Sequence, residues 1–270
     1  MKRYLLTLTL IFLVVAAGAQ PAFRRNAKKA QRQQLDIESV ISGATNEQLI
    51  RHKGFTVSYN DILLNPNWVS YELTSEEASA TDISRTDEFL PDPDVRSRQA
   101  DTRDYSNSGF DRGHMAAAAD MKWDRDAMVE SFYMTNICPQ DRDLNAGLWL
   151  ELEQKCRYWA KKYDRVWIVC GPLYTTGHNK PIGANHVSVP DAFYKCVCMQ
   201  VDGRWTMAAF IFPNLGVNQE IDRYMFPVIG LETIVGHQFF NKVPVSPNEL
   251  QALKSYVTRS DWEIPGWKKK

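Results

Sequence analysis

The chain has 270 residues, 44% of them hydrophobic and 11% aromatic, which is enough for the core of one large domain or two small ones. Its formal net charge is zero, but residues 1–32 carry seven Lys or Arg and no acid, which leaves 25 basic against 32 acidic residues, a balance of −7. That balance excludes a long electropositive groove, so any recognition of phosphate must be local.

The N-terminal residues are predicted to be an export signal. Two basic residues precede an apolar run at 5–15, and Ala17-Gly18-Ala19 forms a small-residue cleavage site before Gln20. The run is shorter than the roughly 20 residues that span a membrane; a retained anchor is the alternative. We expect an exported protein, periplasmic or extracellular, without stable membrane association after cleavage. The predicted domains are a signal peptide at 1–19, an arm and lead-in at 20–54, and a folded domain at 55–270.

Hydrophobic periodicity predicts the elements along the chain. Strands are predicted at 55–59, 68–73, 166–170, 193–201 and 205–212, the last two joined by the hairpin signal Asp202-Gly203. The polar stretch 76–107 is predicted to be a long loop. Helices are predicted at 123–132, 145–163, 228–236 and 247–256. Because strands and helices do not alternate as βαβ units, the fold class is α+β with an antiparallel central sheet and flanking helices.

Five cysteines bear on the redox state of the chain. Their number is odd, so at least one thiol is unpaired in a monomer. Most of them fall in apolar strand or helix patterns, which favours small core residues over a disulfide framework. The spacing of the five, Cys138, Cys156, Cys170, Cys196 and Cys198, does not suggest zinc.

The sequence Asp111-Arg112-Gly113-His114 is the first candidate for chemistry. In an extended segment side chains alternate, so Arg112 and His114 point to the same side. An imidazole can take a proton while a neighbouring guanidinium meets negative charge, which suits phosphate ester chemistry. The alternative is an ordinary strand end with a salt bridge.

The predicted helix at 145–163 supplies the second candidate set. Asn145, Trp149, Glu153 and Arg157 follow one another at i, i+4 spacing along one edge of its apolar stripe. Taken alone, Asn145 is typical of a helix N-cap, and Glu153 with Arg157 is typical of a surface ion pair. Trp149 is expected in the core. Three histidines without partners at ligand spacing are expected to be structural or exposed: His178, His186 and His237.

Four ordered motifs together carry a family resemblance. Asp111-Arg112-Gly113-His114 is followed by Thr-Asn-Ile-Cys-Pro-Gln at 135–140, Leu-Asn-Ala-Gly-Leu-Trp-Leu-Glu-Leu-Glu at 144–153, and Gly-Pro-Leu-Tyr at 171–174. Over about 57–256 the chain resembles the DNA/RNA non-specific endonuclease family. That family includes secreted bacterial nucleases and mitochondrial endonuclease G, and its active site is a ββα-metal motif.

The resemblance implies roles for the residues that contact substrate. His114 matches the general base that activates water, and Arg112 lies beside it. Arg157 matches an arginine facing the scissile phosphate. Asn136 would hold the site together. Arg85 matches a second phosphate arginine less closely, and Arg103 is the alternative.

The resemblance also implies a metal site. Asn145 matches the single protein ligand of a Mg²⁺ ion whose other ligands are mostly waters, with Mn²⁺ as an alternative metal. Glu153 would hold those waters, and Asp111 would support them. An Asn oxygen and several waters suit Mg²⁺, a hard cation that dehydrates reluctantly.

The function implied for the domain at 55–270 is secreted, metal-dependent hydrolysis of DNA and RNA without marked sequence specificity, giving 5′-phosphate ends. Two alternatives stay open from the sequence. One is a non-catalytic nucleic-acid-binding protein on the same fold. The other is a phosphodiesterase acting on small substrates.

Overall fold

Nine strands organise the part of the chain that the structure, a computed structural model, describes: residues 36–175, 180–216, 219–257 and Trp262. From Ile37 onward these residues form one unit. The predicted signal at 1–19 lies outside the described residues. The strands are β1 (Gln48–Arg51), β2 (Thr56–Asn60), β3 (Asn65–Thr74), β4 (Asp111–His114), β5 (Ile137–Gln140), β6 (Arg165–Leu173), β7 (Ala192–Val201), β8 (Arg204–Pro213) and β9 (Met225–Phe226).

Seven of the described strands form one antiparallel sheet in the order β1-β2-β3-β6-β7-β8-β9. β6 and β7 lie inside the sheet and are buried along almost their whole length. The β7–β8 hairpin turns at Asp202 (φ 47°) and Gly203 (φ 81°), both left-handed, as a tight two-residue hairpin requires. The predicted α+β class and antiparallel sheet are confirmed.

The α-helices of five or more residues in the described chain are α1 (Ser75–Ser79), α2 (Arg125–Glu130), α3 (Leu150–Tyr163), α4 (Val228–Val235) and α5 (Pro247–Ser255). The Asp124 side chain caps α2 by accepting from the backbone N–H groups of Asp126 and Ala127, as its sequence position predicts. No helix of the described part is long and apolar enough to cross a membrane.

The segment that leads into α3 differs from the sequence prediction. The chain is already helical at Arg142–Leu144, and Asp141 caps that turn by accepting from Asp143 and Leu144. The helix is then kinked within Asn145–Trp149, where Gly147 has the non-helical dihedral angles φ −104° and ψ −113°. The helix therefore does not begin at Asn145, and the N-cap interpretation of Asn145 is wrong, because Asp141 already provides the cap.

Two further elements were not predicted from the sequence. β1 lies in the segment predicted to be an arm and lead-in, and it pairs with β2 although it precedes the predicted boundary at residue 55. The predicted loop at 76–107 begins inside α1 and contains a 3₁₀ turn at Thr102–Tyr105. The remainder of that stretch is irregular, as expected.

The core contains all five cysteines as free, buried thiols, so the prediction of core cysteines is confirmed. Trp149 is 1% exposed and is a core residue, as expected. His186 is exposed, and His237 is buried with Nδ1 accepting from the Gly43 N–H at 2.9 Å. His178 lies outside the described residues.

β4 and β5 form a separate two-stranded antiparallel sheet, and the helical segment ending in α3 follows β5 directly. This is the ββα arrangement that the family resemblance implies. Gly113 faces Cys138 in the register. A side chain at Gly113 would collide with Gln140, so the close approach of the two strands requires glycine there.

Candidate active site

The candidate site is built around His114, the last residue of β4. Two residues later, Ala116 is held by Asn136, which precedes β5: the Asn136 Oδ1 accepts from the Ala116 N–H at 2.8 Å, and its Nδ2 donates to the Ala116 carbonyl at 2.9 Å. Nδ2 also donates to the Ser131 carbonyl at 2.8 Å. Asn136 is fully buried, and these bonds join the end of α2 to the segment that follows His114.

Aromatic rings enclose the His114 imidazole. Its centroid lies 4.7 Å from that of Phe132 and 5.4 Å from that of Phe89, and the residue is 8% exposed. Among the described residues, its Nε2 has no hydrogen-bond partner. Within the described part of the protein this buried nitrogen is available to a further partner, such as water or substrate.

Burial, together with the positive charges of Arg85 and Arg112, lowers the pKa of His114 to about 3. The imidazole is therefore neutral at neutral pH and can accept a proton. A neutral, oriented imidazole is the form that a general base requires.

Two guanidinium groups lie over the aromatic rings that enclose His114. The Arg112 Cζ stands 4.3 Å from the Phe89 ring centroid, so Arg112 and His114 contact the same ring and share a side, as the alternation predicts. The Arg85 Cζ lies 5.1 Å from the Phe132 ring centroid. Arg103 instead pairs with Asp101 in a highly exposed position. The geometry thus favours Arg85 over Arg103 as the arginine of the site.

Asn145 and Asp111 form a side-chain hydrogen bond within the ββα unit. The Asn145 Nδ2 donates to the Asp111 Oδ2 at 3.1 Å, which leaves the amide oxygen as the acceptor. Within the described residues no cluster of three or more His, Cys, Asp or Glu could hold a metal. A cation here would rest on one amide oxygen, nearby carboxylate and water, and this donor set fits a hard ion that retains its waters.

Buried charged side chains lie on α3 and in contact with it. Glu153 is 9% exposed, and burial raises its pKa to about 7 although Lys195 acts to lower it. The Arg157 Nη1 pairs with the fully buried Asp120 at 2.7 Å, and Asp120 also accepts from the Tyr71 hydroxyl at 2.9 Å. The interpretation of Glu153 and Arg157 as a surface ion pair is wrong, because Glu153 is buried and Arg157 pairs with Asp120.

Trp149 connects these buried charged side chains to β4, the strand that carries His114. Its Nε1 donates to the His114 carbonyl at 3.0 Å. The fully buried Lys195 places its Nζ 4.3 Å from the Trp149 ring centroid and 3.4 Å from the Met115 carbonyl. The carbonyl groups of His114 and Met115 therefore accept hydrogen bonds from Trp149, which precedes α3, and from Lys195 of β7.

Comparison with known proteins identifies the architecture. The family description "DNA/RNA non-specific endonuclease" matches residues 34–246. The chain belongs to the DNA/RNA non-specific endonuclease family. This confirms the resemblance found in the sequence.

Relatives with printed nuclease names agree with this membership. The chain is 33% identical over 215 residues to "Nuclease EXOG, mitochondrial" of Xenopus laevis, covering 74% of this chain and 59% of that protein. It is 31% identical over 219 residues to "Endonuclease G, mitochondrial" of Homo sapiens, covering 76% of this chain and 74% of that protein. The chain thus spans about three fifths of the Xenopus relative and about three quarters of the human one.

A solved structure supports the fold. The structure titled "Crystal structure of the EndoG/EndoGI complex: Mechanism of EndoG inhibition" matches with a TM-score of 0.70 and 28% sequence identity. The match covers 78% of this chain and 91% of that chain. The endonuclease-family fold therefore accounts for most of the described residues.

The structure of this family member adds residues that sequence reasoning missed. Phe89 and Phe132 enclose His114, Asp120 holds Arg157, and Lys195 supports Trp149. One signal was available for Lys195, which is the only charge in the otherwise apolar or neutral strand β7. The two aromatic residues and Asp120 carried no comparable signal, because their partners are distant in sequence.

Proposed function

We propose that this family member is an endonuclease that hydrolyses phosphodiester bonds in DNA and RNA without marked sequence preference. The observation that carries the proposal is the neutral, buried imidazole of His114, whose Nε2 has no partner in the described protein and which lies beside two guanidinium groups. That combination supplies a base for water and positive charge for a phosphate.

In this mechanism His114 takes a proton from a water molecule, whose oxygen then attacks the phosphorus atom. The bond from phosphorus to the 3′ oxygen breaks, and the 3′ oxygen takes a proton from solvent water, which leaves a 5′-phosphate and a 3′-hydroxyl. Arg85, Arg112 and Arg157 offer guanidinium groups to the phosphate oxygens. The Asp120 carboxylate fixes the Arg157 fork, while Asn136 and Trp149 hold the strand that carries His114.

We propose that the metal is Mg²⁺, with Mn²⁺ as a substitute. Asn145 would hold it by its amide oxygen, with Asp111 and Glu153 orienting its waters. When bound, the ion would supply Lewis-acid stabilisation of the departing oxygen. The support is the donor set: one amide oxygen paired with a carboxylate, and a buried carboxylate further along the same helical segment.

Substrate breadth follows from the kinds of groups in the site. The candidate residues address water, metal and phosphate, and phosphate contacts carry no direct sequence information. Water, and not the ribose 2′-hydroxyl, is the nucleophile, so DNA and RNA are both substrates. We also propose export to the periplasm or medium, which rests on the N-terminal pattern at 1–19; several relatives are instead named mitochondrial. Sequencing of the mature N-terminus tests this, with Gln20 as the expected first residue.

The test of function is cleavage of matched DNA and RNA, with Mg²⁺, with Mn²⁺ and with EDTA, followed by end-group analysis. We expect cleavage of both nucleic acids, loss of cleavage in EDTA, and 5′-phosphate ends. His114→Ala should abolish turnover, whereas His186→Asn, a change in an exposed turn, should not. Binding without cleavage would favour the non-catalytic alternative. Cleavage of only a small aryl phosphodiester would favour the small-substrate alternative.

A further inference from the structure

A buried carboxylate outside the candidate site has an unusually full set of partners. The Asp92 side chain is 0% exposed, and its Oδ2 accepts from the Thr135 hydroxyl at 2.6 Å and lies 3.1 Å from the His52 Nε2. Its Oδ1 accepts from the Asp94 N–H at 2.9 Å. Hydrogen bonds from His52 and Thr135 outweigh the effect of burial, so the pKa of Asp92 is lowered and the group is an anionic acceptor. Bonds to a charged partner are the stronger class.

The bond between Asp92 and Thr135 joins two segments that are distant in sequence, and His52 contacts Asp92 from a third. Asp92 lies in the irregular stretch after α1, while Thr135 directly precedes Asn136. Next to this contact the Leu90 N–H donates to the Phe132 carbonyl at 3.2 Å, and the Met134 N–H donates to the Leu90 carbonyl at 3.0 Å. The irregular stretch after α1 is thus attached to the segment between α2 and β5 by the side-chain hydrogen bond between Asp92 and Thr135 and by two backbone hydrogen bonds.

The residues immediately before this contact line the candidate site. Phe89 packs against His114 and under the Arg112 guanidinium, and Arg85 lies over the Phe132 ring. Arg85 itself pairs with Asp87, but both side chains are more than half exposed. Exposed pairs of this kind fix a side chain weakly. The position of Arg85 and Phe89 therefore depends on the fastening at Leu90 and Asp92.

Thr135 and Asn136 are adjacent residues whose side chains hold two different segments of the site. Asn136 fastens the strand that carries His114, and Thr135 fastens the stretch that carries Phe89 and Arg85. We propose that Asp92 and Thr135 are positioning residues, which together hold Phe89 and Arg85 against His114 for phosphate binding. The inference rests on the proposed function for its catalytic consequence but not for its structural one.

The structural consequence is tested by hydrogen exchange. Thr135→Val keeps the side-chain shape and removes the hydroxyl donor, while Thr135→Ser keeps the donor. We expect Thr135→Val to speed exchange in the peptide containing Leu90 on the order of tenfold, the size that follows from losing a hydrogen bond to a charged group. Thr135→Ser should exchange at the wild-type rate, as should Thr233→Val, which alters a hydroxyl that bonds only within α4. Unchanged exchange in Thr135→Val overturns the proposal.

The catalytic consequence is tested by a double-mutant cycle on kcat/KM with Arg85→Ala. We expect Thr135→Val to lower kcat/KM on the order of tenfold in the wild-type background and by a smaller factor in the Arg85→Ala background, because part of its effect is exerted through Arg85. Equal losses in both backgrounds overturn the positioning role. Asp92→Asn should give the same non-additivity, and it replaces Thr135→Val if that variant does not fold.

The two measurements separate the inference from the proposed function. If the wild-type protein cleaves neither DNA nor RNA, the proposed function fails, and the exchange measurement still decides whether Asp92 and Thr135 hold the stretch. If the protein cleaves nucleic acid and Thr135→Val exchanges and cleaves at the wild-type rates, only the inference fails.

Discussion

His114 and Glu153 should make opposite contributions to the pH dependence of folding stability. The pKa of His114 falls from 6.5 to about 3 on folding, so the unfolded chain binds a proton that the folded protein does not, and stability is lost as pH falls through 6.5. The pKa of Glu153 rises from 4.5 to about 7, so the folded protein holds the proton more tightly, and stability is lost as pH rises through 7.

The magnitudes follow from these values. Between about pH 5 and about pH 7.5, the neutral buried His114 raises the free energy of unfolding by about 2 kcal/mol, and Glu153 lowers it by about 2 kcal/mol. The two contributions nearly cancel in the wild-type protein. A variant that removes either His114 or Glu153 should reveal the pH-dependent contribution of the other residue to the free energy of unfolding.

The assay is urea unfolding in EDTA, followed by tryptophan fluorescence, for the wild-type protein, His114→Asn and Glu153→Gln. His114→Asn should gain about 2 kcal/mol less stability than wild type on going from about pH 5 to about pH 7.5, and Glu153→Gln should gain about 2 kcal/mol more. Taking the difference between the two pH values removes the pH-independent cost of each substitution. If all three proteins show the same pH dependence, His114 and Glu153 are not buried as described.

Three further predictions address catalysis and the thiols. His114→Ala should stay folded by circular dichroism and lose about 10²–10⁴-fold in turnover; a folded variant with wild-type rate would remove His114 from the mechanism. Asn145→Ala should shift the Mg²⁺ activation curve to higher concentration, and Glu153→Gln should shift it less, by an outer-shell effect; unchanged curves would leave both residues outside the metal site. Denatured, unreduced protein should titrate with five thiols per chain, since all five cysteines are free; a value of one would mean two disulfides.

Local patterns made much of this molecule predictable. The Asp202-Gly203 turn fixes the β7–β8 hairpin because its left-handed conformations are available to those residue types. Alternation along β4 placed Arg112 and His114 on one side, and the structure agrees. In both cases the information lies within a few neighbouring residues, where backbone geometry determines the direction of each side chain.

Contacts between distant segments were not predictable in the same way. The hydrogen bond between Asp92 and Thr135 joins residues 43 positions apart, and no local sequence pattern predicts it. Asp120 has the same character, because its partner Arg157 lies 37 positions away. The helix start at Arg142 was missed for another reason: Asp141 and Asn145 are both good capping types, and only the three-dimensional structure shows which one caps.

The kink at Gly147 means that the position of Asn145 depends on backbone conformation as well as on side-chain identity. Gly147 has φ −104° and ψ −113°, which is not helical, and it lies between Asn145 and the residues that follow on α3. The direction of Asn145 relative to Glu153 is therefore set by this kink and not by regular helical spacing. A chain that continued as straight α-helix through Gly147 would keep every candidate residue in its sequence and still change where Asn145 lies relative to Glu153.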